Sequence, residues 1–255
     1  MIGKNTKHKL VFPASILVLV LLWEFLPPWL HVPNYVFPSL SSIIERSVLS
    51  GSERLLDNTW VTLQESFWGF LIGSFVGFLI GVLMAQSRTF QHLALPYVVA
   101  SNAVPVIAIA PLLVMWVGSG IWSKILVAAF LCFFPLAINA FRGLTLYPMA
   151  MKELFDLYGA SSWQFLWRYK LRAALPYLLT GLKLNAVFAV IGSIVAEFVG
   201  SDRGLGFGML QASYSLDTPR LWGYIIVACC LGMAFYGIMA LLERRLHAGT
   251  EHTTS

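Results

Sequence analysis

Six long runs of apolar residues, near 10–30, 60–85, 93–117, 123–144, 175–199 and 221–242, are separated along this chain by shorter polar segments. A helix rises about 1.5 Å per residue and the hydrocarbon core of a bilayer is about 30 Å thick, so roughly 20 apolar residues make one span. Inside hydrocarbon the backbone has to satisfy its own hydrogen bonds, which single runs of this kind do only as helices. The pattern therefore predicts an all-α membrane protein with about six transmembrane helices. The first run is longer than the apolar region of a signal peptide and carries no small-residue cleavage site, so it is expected to stay as an anchor. Short tails at 1–9 and 247–255 flank a membrane domain over 10–246.

Three connections are long enough to have structure. In the outer loop over 31–58, Pro38-Ser39-Leu40-Ser41-Ser42 precedes Ile43, Ile44, Val48 and Leu49. A serine cap before paired apolar positions predicts a short helix, either on the membrane surface or packed in its loop. The inner connection over 145–174 mixes Lys152, Glu153, Asp156, Arg168, Lys170 and Arg172 with Leu154, Leu157, Trp163, Phe165 and Leu166. It reads as helix, break at Gly159, helix, and is suited to docking a partner. The third, over 200–220, is outer and rich in glycine at Gly204, Gly206 and Gly208. No internal repeat of the kind common in secondary transporters is visible.

Composition supports the membrane reading: 58% of the 255 residues are hydrophobic and 11% charged, against about 25% charged in soluble domains. The net charge of +5 does not form a basic stripe, which argues against nucleic acid. It sorts by side instead. With the N-terminus in the cytoplasm, Lys4, Lys7, Lys9, Arg88, Arg142, Lys152, Arg168, Lys170, Arg172, Arg244 and Arg245 lie inside. Arg46, Arg54, Lys124, Arg203 and Arg220 fall outside, and Lys183 lies in a span. This bias follows the positive-inside rule and puts both termini in the cytoplasm.

Within the spans, Gly69, Gly73, Gly77 and Gly81 share one helix face and allow close approach of another backbone, in this subunit or in a second copy. Pro105 and Pro111 are expected to interrupt the third span and Pro135 the fourth, as kinks or as a pathway wall. Asn102 and Asn139 beside them need a helix interface or a wet cavity. Glu24 and Glu65 read as interfacial residues at the outer ends of spans, whereas Glu197, just before the glycine-rich loop, is either interfacial or functional.

Cys132, Cys229 and Cys230 form no CxxC pair and have no histidines at ligand spacing, so no metal site is expected. No HExxH, GxSxG or other catalytic set occurs, and no GxxxxGK[ST]. A machine of this kind that used ATP would bind it, with Mg²⁺, on another chain; no cofactor is expected here.

The inner loop resembles the signature of inner-membrane permeases of binding-protein-dependent ABC importers: EAA, three residues, a glycine, then Leu-Pro. Glu153-Leu154-Phe155-Asp156-Leu157-Tyr158-Gly159-Ala160-Ser161 keeps the glutamate, the glycine and the spacing, with Leu154 and Phe155 in place of alanines. Arg172 stands after Leu171 where a proline is usual, and Leu175-Pro176 follows four residues later. Asn58-Thr59 with Thr62-Leu63, the PVIAIAPL stretch over 105–112, the CFFP stretch over 132–135, Ala196-Glu197 and Gly204-Leu205-Gly206 look like the nitrate, sulfonate, taurine and pyrimidine branch.

The resemblance, which covers 10–246, implies a type I importer fold in the bacterial cytoplasmic (inner) membrane. Two permease copies, expected to be identical, would form the pathway. Two ATPase subunits would dock from the cytoplasm and an external binding protein would deliver the solute. Glu153, Leu154, Phe155, Gly159, Ala160 and Ser161 would couple to the ATPase. Asn102, Pro105, Glu197, Gly204 and Gly206 are candidates for pathway or gate. The stretches over 98–105, 189–192 and 216–220 look most like permeases for thiamine-precursor pyrimidines. Sulfonate, taurine, nitrate and riboflavin are the alternatives, and a secondary transporter or channel is the alternative of another class.

Overall fold

The computed structural model describes the backbone of residues 4–49 and 51–251 and the side chains of 14–47 and 51–246. Residues 1–3, 50 and 252–255 lie outside it, as do the side chains of Lys4, Lys7, Lys9, Val48 and Leu49, so the expectations placed on them are not addressed. Every described element is helical: α1 (Lys4–Trp29), α2 (Leu40–Ile44), α3 (Ser52–Gln86), α4 (Arg88–Ala103), α5 (Val106–Val117), α6 (Ile121–Thr145), α7 (Met149–Leu157), α8 (Ser162–Phe165), α9 (Leu171–Gly200), α10 (Leu205–Tyr214) and α11 (Thr218–Glu251). Single π-helical turns follow α2 and α8.

All six apolar runs are helical. The helices α3, α6, α9 together with α8 and the turn between them, and α11 are long and apolar enough to cross a membrane, and the apolar part of α1, Ala14–Trp29, is shorter. The third run is the exception to a continuous span. It breaks into α4 and α5, which meet at 101°. Pro105 caps α5 with an extended backbone and supplies no N–H, so the chain turns there. Pro111 and Pro135, in contrast, lie inside unbroken helices. Each removes one hydrogen bond from a helix whose neighbouring turns are intact, and Asn139 Nδ2 donates to Pro135 O at 2.8 Å within that turn.

The centre is a trio, α3 on α6 on α9, with α5 and α11 against its flanks. Gly69, Gly73, Gly77 and Gly81 explain the closeness of the first pair: a Cβ at these positions would collide with Ala128, Ala129, Phe133 and Ala140 of α6. The stripe is thus a packing face within the subunit, and the contact between copies considered for it is not needed. Between α3 and α9 the apolar core is threaded by polar pairs. Ser66 and Ser193 hydroxyls meet at 3.1 Å, and Asn185 Nδ2 donates to Ser74 at 2.9 Å. Cys132 is buried and gives its thiol to Asn185 O, in keeping with a packing role.

The outer loop forms the short helix expected, and its packing decides between the two settings. Ile43 is buried, and Ser47 lies against Gly223 of α11. The cap differs from the serine predicted: the Glu24 carboxylate of α1, not the Ser39 side chain, accepts the Ser41 N–H at 3.0 Å. Trp23 completes the join, bonding Pro38 O at 3.0 Å and packing edge-on against Trp222 and stacked on Phe37. Lys183, left without a role inside a span, pairs with Glu243 of α11 at 2.7 Å.

Candidate functional site

Two groups of residues carry more chemistry than packing requires, one at each end of the central trio. At one end, expected from the charge bias to face outward, α9 finishes at Gly200 and the chain reverses into α10 through residues 201–204. Glu197, 1% exposed, sits at the hub of that reversal. Thr62 of α3 gives its hydroxyl to Glu197 Oε1 at 2.6 Å, and the Gly206 N–H donates to Oε2. Thr62 Oγ1 also accepts the Leu205 N–H at 2.8 Å, and Asn58 Oδ1 accepts the Gly204 N–H at 3.0 Å. These bonds meet the orphan donors of the α10 N-terminus with side chains of α3 and α9. Asn58 in turn donates to the Tyr224 hydroxyl of α11 at 3.2 Å.

The glycines make this closure possible. Gly204 has φ +105°, a region unfavourable for residues with a Cβ, and a Cβ there would enter the Glu197 carboxyl. A Cβ at Gly206 would meet Ile194 O and the same carboxyl. The glycine-rich stretch is therefore tightly packed.

Two further charged residues belong to this end, and sequence reasoning missed both. Glu65, read as interfacial, is 2% exposed and lies within hydrogen-bonding reach of Glu197, because it stands one helical turn below Thr62 on the face of α3 turned toward α9. Lys124, counted among the outer surface charges, is 1% exposed. Its ammonium donates to Ser119 O and, at 2.6 Å, to Gly200 O, tying the α5–α6 turn to the last carbonyl of α9. Such a cation at a helix C-terminus is favourable. The signal for the group was the Asn58, Thr62, Glu65 spacing along one helix; what hid it was that burial cannot be read from position in a run.

Of the five residues considered for pathway or gate, the structure brings together Glu197, Gly204 and Gly206. Asn102 and Pro105 lie apart from them, exposed at the corner between α4 and α5.

At the other end, the helix, break, helix pattern is present: α7, Gly159 at φ +66°, then α8. Ser161 caps α8 in a capping box with Gln164. The six residues considered for coupling divide into two kinds. Phe155 is the anchor, with its ring 4.9 Å from Phe165, which stacks on Tyr169 at 5.5 Å. Tyr147 closes edge-on against Phe165 at 5.2 Å. Glu153, Leu154 and Gly159 point away from this cluster, with Leu157 85% and Tyr158 83% exposed beside them. Ala160 and Ser161 form the turn. Lys152 bonds Asp156 at 2.6 Å, which raises its ammonium above the ordinary lysine range, and both remain in solvent.

Compared with known proteins, the architecture is shared. A chain of the inward-facing MetNI methionine ABC transporter superposes with a TM-score of 0.62 over 74% of this chain and 95% of its own length, at 22% identity. Helix count, broken span and inner hairpin thus define a multi-pass membrane protein with the type I ABC permease fold. Residues 69–248 match the family of binding-protein-dependent transport system inner membrane components, and the chain belongs to that family. A probable ABC transporter permease protein of Haemophilus influenzae is 33% identical over 90% of this chain and 94% of its own. A formylaminopyrimidine transport permease protein of Halalkalibacterium halodurans is 32% identical over 90% and 92%. A riboflavin transport system permease protein of Chloroflexus aurantiacus is 34% identical over 92% and 88%. The chain is accordingly an inner-membrane ABC permease subunit, a transport component rather than an enzyme.

Proposed function

We propose that two identical copies of this chain form the pathway of an ATP-driven importer, with both termini in the cytoplasm. Two ATPase subunits, which bind ATP and Mg²⁺, dock on the inner hairpin. A binding protein on the outer face delivers the solute. The observation that carries this reading is the division of α7, with Phe155 locked into an aromatic cluster while Leu154, Leu157 and Tyr158 project unpaired with any core. A helix so anchored moves with α9, and its exposed apolar side is a surface for a partner. ATP-driven closure of the ATPase pair then reaches the spans through Phe155 and Phe165. The basic residues gathered at the inner ends of the helices support the orientation.

For the solute, the reading is a pyrimidine precursor of thiamine. Its support is the formylaminopyrimidine permease among the relatives, together with the stretches over 98–105, 189–192 and 216–220. The riboflavin permease favours a planar heteroaromatic ring more broadly, and sulfonate or taurine is the second reading, from permeases of that kind among the relatives. The test is uptake of a radiolabelled aminopyrimidine by cells carrying the importer, with unlabelled riboflavin and taurine as competitors. Uptake lost on deleting this chain and competed only by pyrimidines supports the reading; uptake unchanged by the deletion, or competed by taurine, overturns the pyrimidine assignment.

A further inference from the structure

The outer cluster holds two buried carboxyl groups in hydrogen-bonding reach of each other, Glu65 and Glu197. Ionised carboxylates only accept hydrogen bonds, so this contact is satisfied when a proton lies between them. The surroundings say which group carries it. Both Glu197 oxygens already accept donors, from Thr62 Oγ1 at 2.6 Å and from the Gly206 N–H. The 2.6 Å separation is in the range of a hydroxyl bonded to a charged oxygen. No donor among the described residues reaches Glu65 Oε2, although that atom is buried. Glu65 Oε2 thus lies buried without a donor among the described residues while the Glu65 carboxyl neighbours the acceptor Glu197, which is the environment of a neutral acid.

Charge balance agrees. The titratable and charged groups facing the pair are Lys124 from α6, with Asp202 and Arg203 beyond it in the loop after α9; α10 supplies none, and α11 faces the cluster with Tyr224 through Asn58. Asp202 and Arg203 are exposed and offset each other. In the buried part, one ammonium and two carboxylates would leave a net negative charge out of water, and one proton removes it.

We infer that Glu65 and Glu197 form a proton-binding site, in which Glu65 is a neutral acid donating to the Glu197 carboxylate, and that the bound proton locks the 201–206 segment onto α3. A cavity of about 210 Å³, lined by Gln64, Glu65, Lys124, Ser201 and Asp202, adjoins Glu65 and supplies the proton's route to water. Removing the proton sets two buried negative charges against each other across the α3–α9 contact, so the lock opens when the proton leaves. The inference rests on the pair itself and not on the transported solute.

The test is infrared spectroscopy of the purified chain in lipid at neutral pH, wild type against Glu65→Gln and Glu197→Gln, with thermal unfolding of each. Glutamine at 65 reproduces the neutral acid, donating an amide hydrogen to Glu197, so E65Q keeps the wild-type unfolding temperature and loses a carboxylic C=O band that shifts in D₂O. Glutamine at 197 turns an amide hydrogen toward the Thr62 or Gly206 donor, so E197Q unfolds about 5 °C lower. A wild type minus E65Q spectrum that contains a carboxylate band in place of the carboxylic one overturns the site, as does an E65Q destabilised as much as E197Q. Should E65Q not assemble, the wild type alone decides: a deuterium-sensitive carboxylic band at neutral pH supports the site and its absence refutes it.

Discussion

Gly204 rests directly on the carboxyl group of Glu197, with a left-handed backbone and no room for a Cβ between them. The end of one spanning helix is thereby fastened to the start of the next element, and through Thr62 to a third. Gly204→Ala meets both penalties, an unfavourable φ and a collision. It is expected to cost about 1–3 kcal/mol, read as a lower unfolding temperature of the detergent-purified chain.

Thr62→Val keeps the side-chain shape and removes the hydroxyl that serves Glu197 and the Leu205 N–H. Two buried polar groups lose their partner, a loss of about 2 kcal/mol. Thr62→Ser restores most of it. Unfolding temperatures of the three proteins measured side by side check this, and equal values for valine and threonine would remove the hydroxyl from the account.

The glycine stripe gives a prediction about where its partner lies. Gly73→Val drives a branched side chain into Ala129 and Cys132 of the same chain. Overpacking of about 1–3 kcal/mol is expected, so the folded fraction falls in fluorescence-detected size exclusion even when the chain is kept from pairing with a second copy. A variant that folds normally and only fails to dimerise would instead place the stripe between copies.

Lys183 and Glu243 form an ion pair between α9 and α11, and both are only partly exposed. A double-mutant cycle with Lys183→Met and Glu243→Gln is expected to return a coupling of about 1 kcal/mol. Chemical unfolding of the four proteins measures it. A coupling indistinguishable from zero would mean that the pair merely neighbours the helix contact.

The sequence made the helices legible because hydrocarbon allows little else: a run of apolar residues such as 123–144 has one way to satisfy its backbone. It also made α7, Gly159 and α8 legible, since polar punctuation and a glycine suited to positive φ coincide there. What it could not carry was depth. Glu65 and Lys124 stand near the ends of their runs, where a charge is ordinarily wet, yet the fold buries both. Nor does the sequence show that the glycines at 204 and 206 are packed against Glu197. Pro105, Pro111 and Pro135 looked alike in sequence; the first breaks its helix because Val104 before it is extended, while the other two sit in helices held by their neighbours.

The most direct test of the central claim, that the exposed side of α7 receives an ATPase, is mild-detergent purification of the tagged chain with mass spectrometry of what stays bound. The account predicts that an ATPase subunit is recovered with the wild type and lost with Glu153→Ala combined with Leu157→Asp, and with Gly159→Pro, while each variant still inserts in the membrane. Recovery of the chain alone under several lipid-preserving conditions, or full retention of the ATPase by these variants, would contradict it.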